Sequence, residues 1–172
     1  ADVVAEAAKA KGLATIGLVG TKFTMERDFF TDRIASHGLE VVVPDARHHD
    51  TLDRIVYDEL VHGKVLDSSR RTVVSIVEEL WDAGAQGVVL GCTELELLVK
   101  QADCELPVFP CTTLHVAAAL DRAPEAVYVI DNCSTDHTPA VLAASDLPGL
   151  VTIRTTTELH RTPSACREEH AE

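Results

Sequence analysis

Apolar and polar positions follow two rhythms along most of this chain. Apolar runs at residues 14–19 and 87–90 have the length of strands buried on both faces, and 39–43 reads as a further strand. Between them, residues 24–36, 51–61 and 67–83 carry apolar side chains at helical spacing, as at 52, 55, 56 and 60. His37-Gly38 and Gly84 stand where the first and last of these helices should stop. The alternation continues with a helix over 94–100, a short strand at 107–109, and a helix capped by Thr112 or Thr113 that runs to about 120. Beyond it come a strand at 127–130, a helix at 139–144 and a strand at 150–153. The polar residues from 162 onward are expected to be either helical or disordered. Apolar strands alternating with helices predict an α/β fold, a mostly parallel sheet with helices on both faces. Two parts are expected: a lobe over 1–122 and a β-α-β extension over 123–172.

Candidate chemistry concentrates in residues 88–97, VVLGCTELEL. The apolar run stops at Gly91, and Cys92 follows where strand should turn into helix. Thr93 and Glu96 have the S/T-x-x-E spacing of a capping box, which predicts a helix start. The Cys92 sulfur is then expected at the carboxyl end of a strand, where open α/β sheets bind ligands. It is also expected at a helix N-terminus, which lowers a thiol's pKa from about 8.5 toward neutrality. A thiolate so placed can take a proton from a weak carbon acid. A buried structural cysteine at a tight turn fits the same spacing.

Two more strand-to-helix turns, residues 20–24 and 110–115, are expected at the same edge. Residues 20–24 offer the hydroxyls of Thr21 and Thr24 and free backbone N–H groups, suited to a carboxylate; Thr24 as a plain helix cap is the alternative. Glu94 is placed to accept a substrate ammonium or orient the thiol, or simply to complement a helix dipole. His115 lies three residues after Thr112, within reach of the same pocket, although a lone histidine there is more often packed or at the surface.

Five stretches occur in order: GLVGTKFTMERDFF (17–30), VVVPD (41–45), IVYDEL (55–60), GAQGVVLGCTEL (84–95) and LPVFPCTTLH (106–115). Through them residues 5–120 resemble the C-terminal lobe of the cofactor-independent aspartate/glutamate racemase family. There is one departure: that family usually has Pro or a small residue where this chain has Glu96. The resemblance implies an isomerase of two similar lobes, each giving one cysteine to opposite faces of the substrate's Cα. Cys92 would be one of the pair, with Thr21, Thr24, Thr93, Glu94 and His115 around an acidic amino acid. The opening ADVVAEAAKAKG looks like the helix that joins the lobes, so a missing N-terminal lobe or a second copy is expected to complete the site.

That chemistry makes plain demands. An amino acid's α-proton is very weakly acidic, and no pyridoxal-binding lysine motif is evident, so no cofactor is expected. A carbanion or enediolate must be stabilised by hydrogen bonds aimed at the carboxylate, while an acid and a base act on opposite faces. Cys104 and Cys111 are poor candidates for the second group, because neither should reach the far face of a substrate held on Cys92.

From about residue 124, PEAVYVIDNCSTDHTPAVLAASDLPGLVTIR resembles a strand-helix unit of inverting glycosyltransferases of the GT-A kind. Asp131, Asn132, Ser134, Thr135, Asp136 and Thr138 match the turn that holds part of a nucleotide-sugar there. No downstream Asp-x-Asp metal motif follows. A polar loop capping a helix explains the same residues. Glycosyl transfer and a non-catalytic small-anion-binding lobe therefore stand as alternatives to racemisation.

Charge and composition narrow the partners. A net charge of −13 over 172 residues argues against nucleic acid, whose binding depends on Lys and Arg, and against an anionic membrane. No apolar stretch approaches the roughly 20 residues that span a bilayer, and no signal-peptide pattern opens the chain, so a cytoplasmic protein acting on a small molecule is expected. The 5 cysteines, at 92, 104, 111, 133 and 166, form no C-x-x-C pair and have no zinc-finger histidine spacing; no metal site is expected.

Overall fold

The computed structural model describes residues 1–122, 126–132 and 134–155. The expectations for 162–172 and for Cys133 and Cys166 lie outside the described residues. The chain divides into two units, Ala1–Asp121 and Arg122–Glu172.

In the first unit, α1 (Asp2–Ala10) leads into β1 (Thr15–Val19). Two short helices, α2 (Lys22–Glu26) and α3 (Asp28–Ala35), carry the chain to β2 (Glu40–Val42). Helical turns from α4 (His49–Arg54) to residue 62 follow, then α5 (Asp67–Asp82) and β3 (Val88–Leu90). One helical turn, α6 (Leu95–Leu98), separates β3 from β4 (Val108–Pro110), and α7 (Cys111–Asp121) closes the unit. The strands pair in parallel in the order β2-β1-β3-β4. From β1 the chain winds outward to β2, then crosses back to β3 and winds outward the other way. The direction therefore reverses between β1 and β3, and ligands bind in the crevice at the carboxyl ends of such a pair.

Burial on both faces explains why β1 and β3 read as apolar runs rather than alternating ones. Ile16, Leu18, Val89 and Phe109 face Val4, Ala5 and Ala8 of α1 and Ile34 of α3. Val19, Val88 and Leu90 face Leu52 of α4, Val73, Ile76 and Leu80 of α5, and Leu95 and Leu98 of α6. Each fully buried Leu or Ile contributes about 1.5–3 kcal/mol of transfer free energy, so these two layers dominate the stability of the lobe.

Three expected helices come out differently. The helix over 24–36 breaks in two because Arg27 is extended, with φ −106° and ψ 138°. Ile34 is buried as its face requires, whereas Phe29 is 56% exposed and stacks on Phe23 and Phe30 at the surface. The helix over 51–61 widens into a π turn, Ile55–Glu59, then tightens through Leu60–His62 to Gly63 at φ 73°. The buried Glu59 carboxylate pairs with Arg54, five residues back and so one π turn away, and also accepts the Ser69 hydroxyl. The helix over 94–100 shrinks to the single turn of α6 because Val99 is extended, with φ −114° and ψ 133°.

The second unit is a parallel pair, β5 (Val127–Asn132) and β6 (Leu150–Thr155), joined through α8 (Thr138–Ala144). In its turn Asp131 accepts the N–H of Ser134 (3.0 Å) and Asp136 the N–H of Thr138 (2.8 Å). Among the described residues no helix is long and apolar enough to cross a membrane.

Candidate active site

At the switch between β1 and β3 the pair Val19–Leu90 is followed on both strands by glycine. Gly91 donates its N–H to the Val19 carbonyl (2.8 Å). A Cβ on Gly91 would stand 2.8 Å from Leu18 Cδ1 and 3.4 Å from Thr24 Cγ2; one on Gly20 would stand 3.1 Å from Thr24 Cβ. Thr24 thus fills the space above both glycines, which brings the two turns close.

The first turn is occupied by the chain itself. Thr21, not Thr24, is the N-cap of α2: its hydroxyl accepts the Thr24 N–H at 3.4 Å and lies 3.1 Å from the Thr24 hydroxyl. The Lys22 N–H is taken by the Asp53 carboxylate at 2.7 Å. The carboxylate that this turn was expected to bind comes from Asp53, and neither Thr21 nor Thr24 lines the cleft described next.

The second turn opens on that cleft, about 320 Å³ in volume. Gly91, Cys92 and Thr93 form one wall, Cys111, Thr112 and His115 of α7 another, and Ala1, just before α1, joins Val3 and Val4 of α1. The structure therefore brings Cys92, Thr93 and His115 together. Glu94 stands behind the thiol: Cys92 Sγ donates to Glu94 Oε2 (3.1 Å), and so does the Thr93 hydroxyl (2.5 Å). These two donors, Thr93 first, hold the Glu94 carboxyl below its usual value.

The expectation of an acidic Cys92 is overturned. Burial pushes the thiol up to about 11, and its bond to Glu94 adds to the rise. The backbone N–H groups of Leu95 and Glu94 oppose this, as a helix start should, but do not prevail. A single turn of four residues has little dipole to offer. Cys104 and Cys111 are also raised, by burial first.

The Thr93–Glu96 capping box does not form either. Glu94 is the N-cap of α6, with no side-chain bond to its own helix, and Glu96 turns away to the start of α7. The sequence pattern makes Cys111 a poor second acid, Thr112 a helix cap and Glu96 half of a capping box at the site's rim, with no substrate contact for any of them. The signal for the first two was available, since β4 lies beside β3 and Pro110 pairs with Leu90, so whatever follows Pro110 must stand near Cys92. Among the described residues no three His, Cys, Asp or Glu side chains converge as metal ligands.

The lobe is thus a parallel α/β sheet with a cysteine-lined cleft beyond the carboxyl ends of β3 and β4. Residues 1–119 match the family described as Asp/Glu/Hydantoin racemase, and the chain belongs to that family. A candidate Asp/Glu racemase from Yersinia pestis is similar at 40% identity and a TM-score of 0.68, over 72% of this chain and 54% of that one. An aspartate racemase homologue from Pyrococcus horikoshii OT3 gives 36% and 0.67, over 71% and 54%. An uncharacterized protein of Pectobacterium carotovorum is 25% identical over 101 residues, 58% of this chain and 65% of its own length. The chain spans about half the length of the solved relatives it matches.

Proposed function

We propose that this lobe supplies one half of a cofactor-independent proton transfer at the Cα of an acidic amino acid, with Cys92 as the group that moves the proton. One observation carries the reading: Cys92 lines a cleft beyond the carboxyl ends of β3 and β4, and its thiol is hydrogen-bonded to Glu94 at 3.1 Å. A thiol at about 11 is protonated at neutral pH, with a thiolate fraction on the order of 10⁻⁴. Its resting role is therefore that of proton donor. It becomes a base when a bound cation offsets the Glu94 carboxylate and favours the thiolate. Thr93, Thr112 and His115 line the same space and are placed to hold the substrate's polar groups. Thr21 and Thr24 act indirectly, by holding the Gly20 and Gly91 turns together.

Inversion needs an acid and a base on opposite faces of Cα. The cleft's cysteines, Cys92 and Cys111, follow neighbouring strands on one sheet edge and so approach from one side. The expected behaviour of the purified chain in D₂O with L-aspartate or L-glutamate is slow deuterium exchange at Cα with retention. It should be lost in Cys92→Ser, with no racemisation. Adding a separately expressed N-terminal lobe of a related racemase should restore some inversion. Steady loss of optical rotation with this chain alone, abolished by Cys92→Ser, would show a second acid inside the chain.

The one-sided cleft also favours a second reading, a lobe that binds small carboxylates without turnover. It predicts that aspartate or glutamate raises the unfolding temperature while no exchange occurs in the wild type. The turn of residues 131–138 stays outside both readings. Its two aspartates cap local backbone N–H groups, which is sufficient cause for their presence.

A further inference from the structure

Cys92 and His115 stand on different elements, and one buried side chain ties these elements together. Glu96 belongs to α6 and is only 9% exposed. Its carboxylate accepts the N–H of Thr112 at 2.5 Å, the Thr113 hydroxyl at 2.9 Å and, more loosely, the Thr113 N–H at 3.4 Å. Those N–H groups belong to the first turn of α7, where a helix leaves its donors without internal partners and where negative charge is favoured. α7 begins directly at the end of β4, so no preceding loop residue is there to cap it. α6 is one turn long and makes no side-chain cap of its own. The Lys100 ammonium holds the Glu96 carbonyl from the other end of that turn.

We infer that Glu96 is a positioning residue: its carboxylate clamps the Cys92 turn to the first turn of α7 and so sets the separation of the cleft's two walls. This rests on the reading of Cys92 as the proton-transfer group, but the geometry it describes does not require turnover. The clamp spans two neighbouring strand ends, after Leu90 on β3 and after Pro110 on β4, which are paired in the sheet. The sheet fixes where these ends lie, yet nothing in a strand pair dictates the angle at which each following helix leaves. A buried acceptor reaching from one helix to the other supplies that constraint.

The test is native-state alkylation of the full chain with iodoacetamide, resolved by mass spectrometry, with Cys104 as internal reference. Cys104 lies in a loop outside this cleft. Glu96→Ala should raise the rates at Cys92 and Cys111 roughly tenfold relative to Cys104, the scale expected for losing buried charge-assisted bonds. Glu96→Gln removes the charge but keeps an oxygen acceptor, and should remain within about threefold of wild type. A common rise at all three thiols, an unchanged Cys92, or equal effects of Gln and Ala would overturn the clamp. These results would mean general loosening, no coupling, or simple charge removal. Should Glu96→Ala not fold, Thr113→Val, which deletes one donor, decides: a rise of about twofold or more confined to the cleft supports the clamp, and none refutes it. Alkylation needs no substrate, so a positive result without Cα exchange would sink the proposed function and leave the clamp standing. Flat alkylation beside Cys92-dependent exchange would do the reverse.

Discussion

The ends of β1 and β3 are paired in register, each is followed by glycine, and each is succeeded by a helix at the same sheet edge. They nevertheless differ in chemistry. After β1, Thr21 caps its own helix, Asp53 takes the Lys22 N–H, and Thr24 packs its methyl over both glycines. The Lys22 and Thr24 N–H groups of that turn are thus taken within the chain. After β3, the helix is one turn long, its N-cap Glu94 bonds the Cys92 thiol instead of its own backbone, and Glu96 serves a neighbouring helix. That turn keeps a thiol facing a cleft. Backbone position makes a site possible; what the next few side chains bond to decides whether it stays open.

The largest effect should separate the two turns by activity. Cys92→Ser is expected to lower Cα exchange at least about 100-fold, the scale of losing an acid/base group. Thr24→Val keeps the methyl packing and should cost no more than a few-fold. Equal losses from both would erase the distinction between a reacting turn and a supporting one.

Next in size is the glycine at the second turn. Leu18 is fully buried, so Gly91→Ala forces its Cδ1 to move within a packed core, at about 1–3 kcal/mol. A urea midpoint that does not fall would show that the two turns are less tightly apposed than described. Close behind, Asp53→Ala strips the first turn of its internal carboxylate and should cost about 1–2 kcal/mol. Acetate should recover part of that loss in the variant and not in the wild type; no recovery would mean the turn is not an anion site even when vacated.

The smallest effect is a shift in a pH profile. Glu94 accepts from the Cys92 thiol and carries like charge to the thiolate, and both raise the thiol's pKa. Glu94→Gln should therefore move the alkylation midpoint of Cys92 downward from about 11, while burial keeps it above the ordinary value of about 9. The folded state holds this proton more tightly than the unfolded chain. Stability should accordingly fall as pH rises from about 9 to 11, and Cys92→Ser should flatten part of that fall. A midpoint unmoved by Glu94→Gln would leave burial as the whole cause.

Much of this lobe is legible in the sequence because β1 and β3 are buried on both faces. Residues 14–19 and 87–90 read as apolar runs for that reason, and α5 has both a clear 3.6 period and a glycine stop at Gly84, φ 98°. Cys92 stands out because an apolar run followed by Gly and a reactive residue marks a strand end. The helix break at Arg27 and the π turn at Ile55–Glu59 were not legible: an apolar period does not report a change of backbone angle or a pairing five residues apart.

Glu96 shows the same boundary most clearly. Three residues after Thr93, it matches the capping box of its own helix, and local spacing offers no other partner. The sheet places β4 beside β3 and starts α7 without a cap, so the stronger acceptor site lies across the fold. The thiol's acidity follows the same logic, since a helix start pulls it down while burial and Glu94 push it up further. By itself the sequence determined the alternation of strands and helices, the parallel sheet and the place of a thiol at its edge, because periodicity and turn chemistry are local. Only the tertiary structure decided which carboxylate answers which N–H and whether that thiol is charged, because hydrogen-bond partners and desolvation are set by residues far away in the chain.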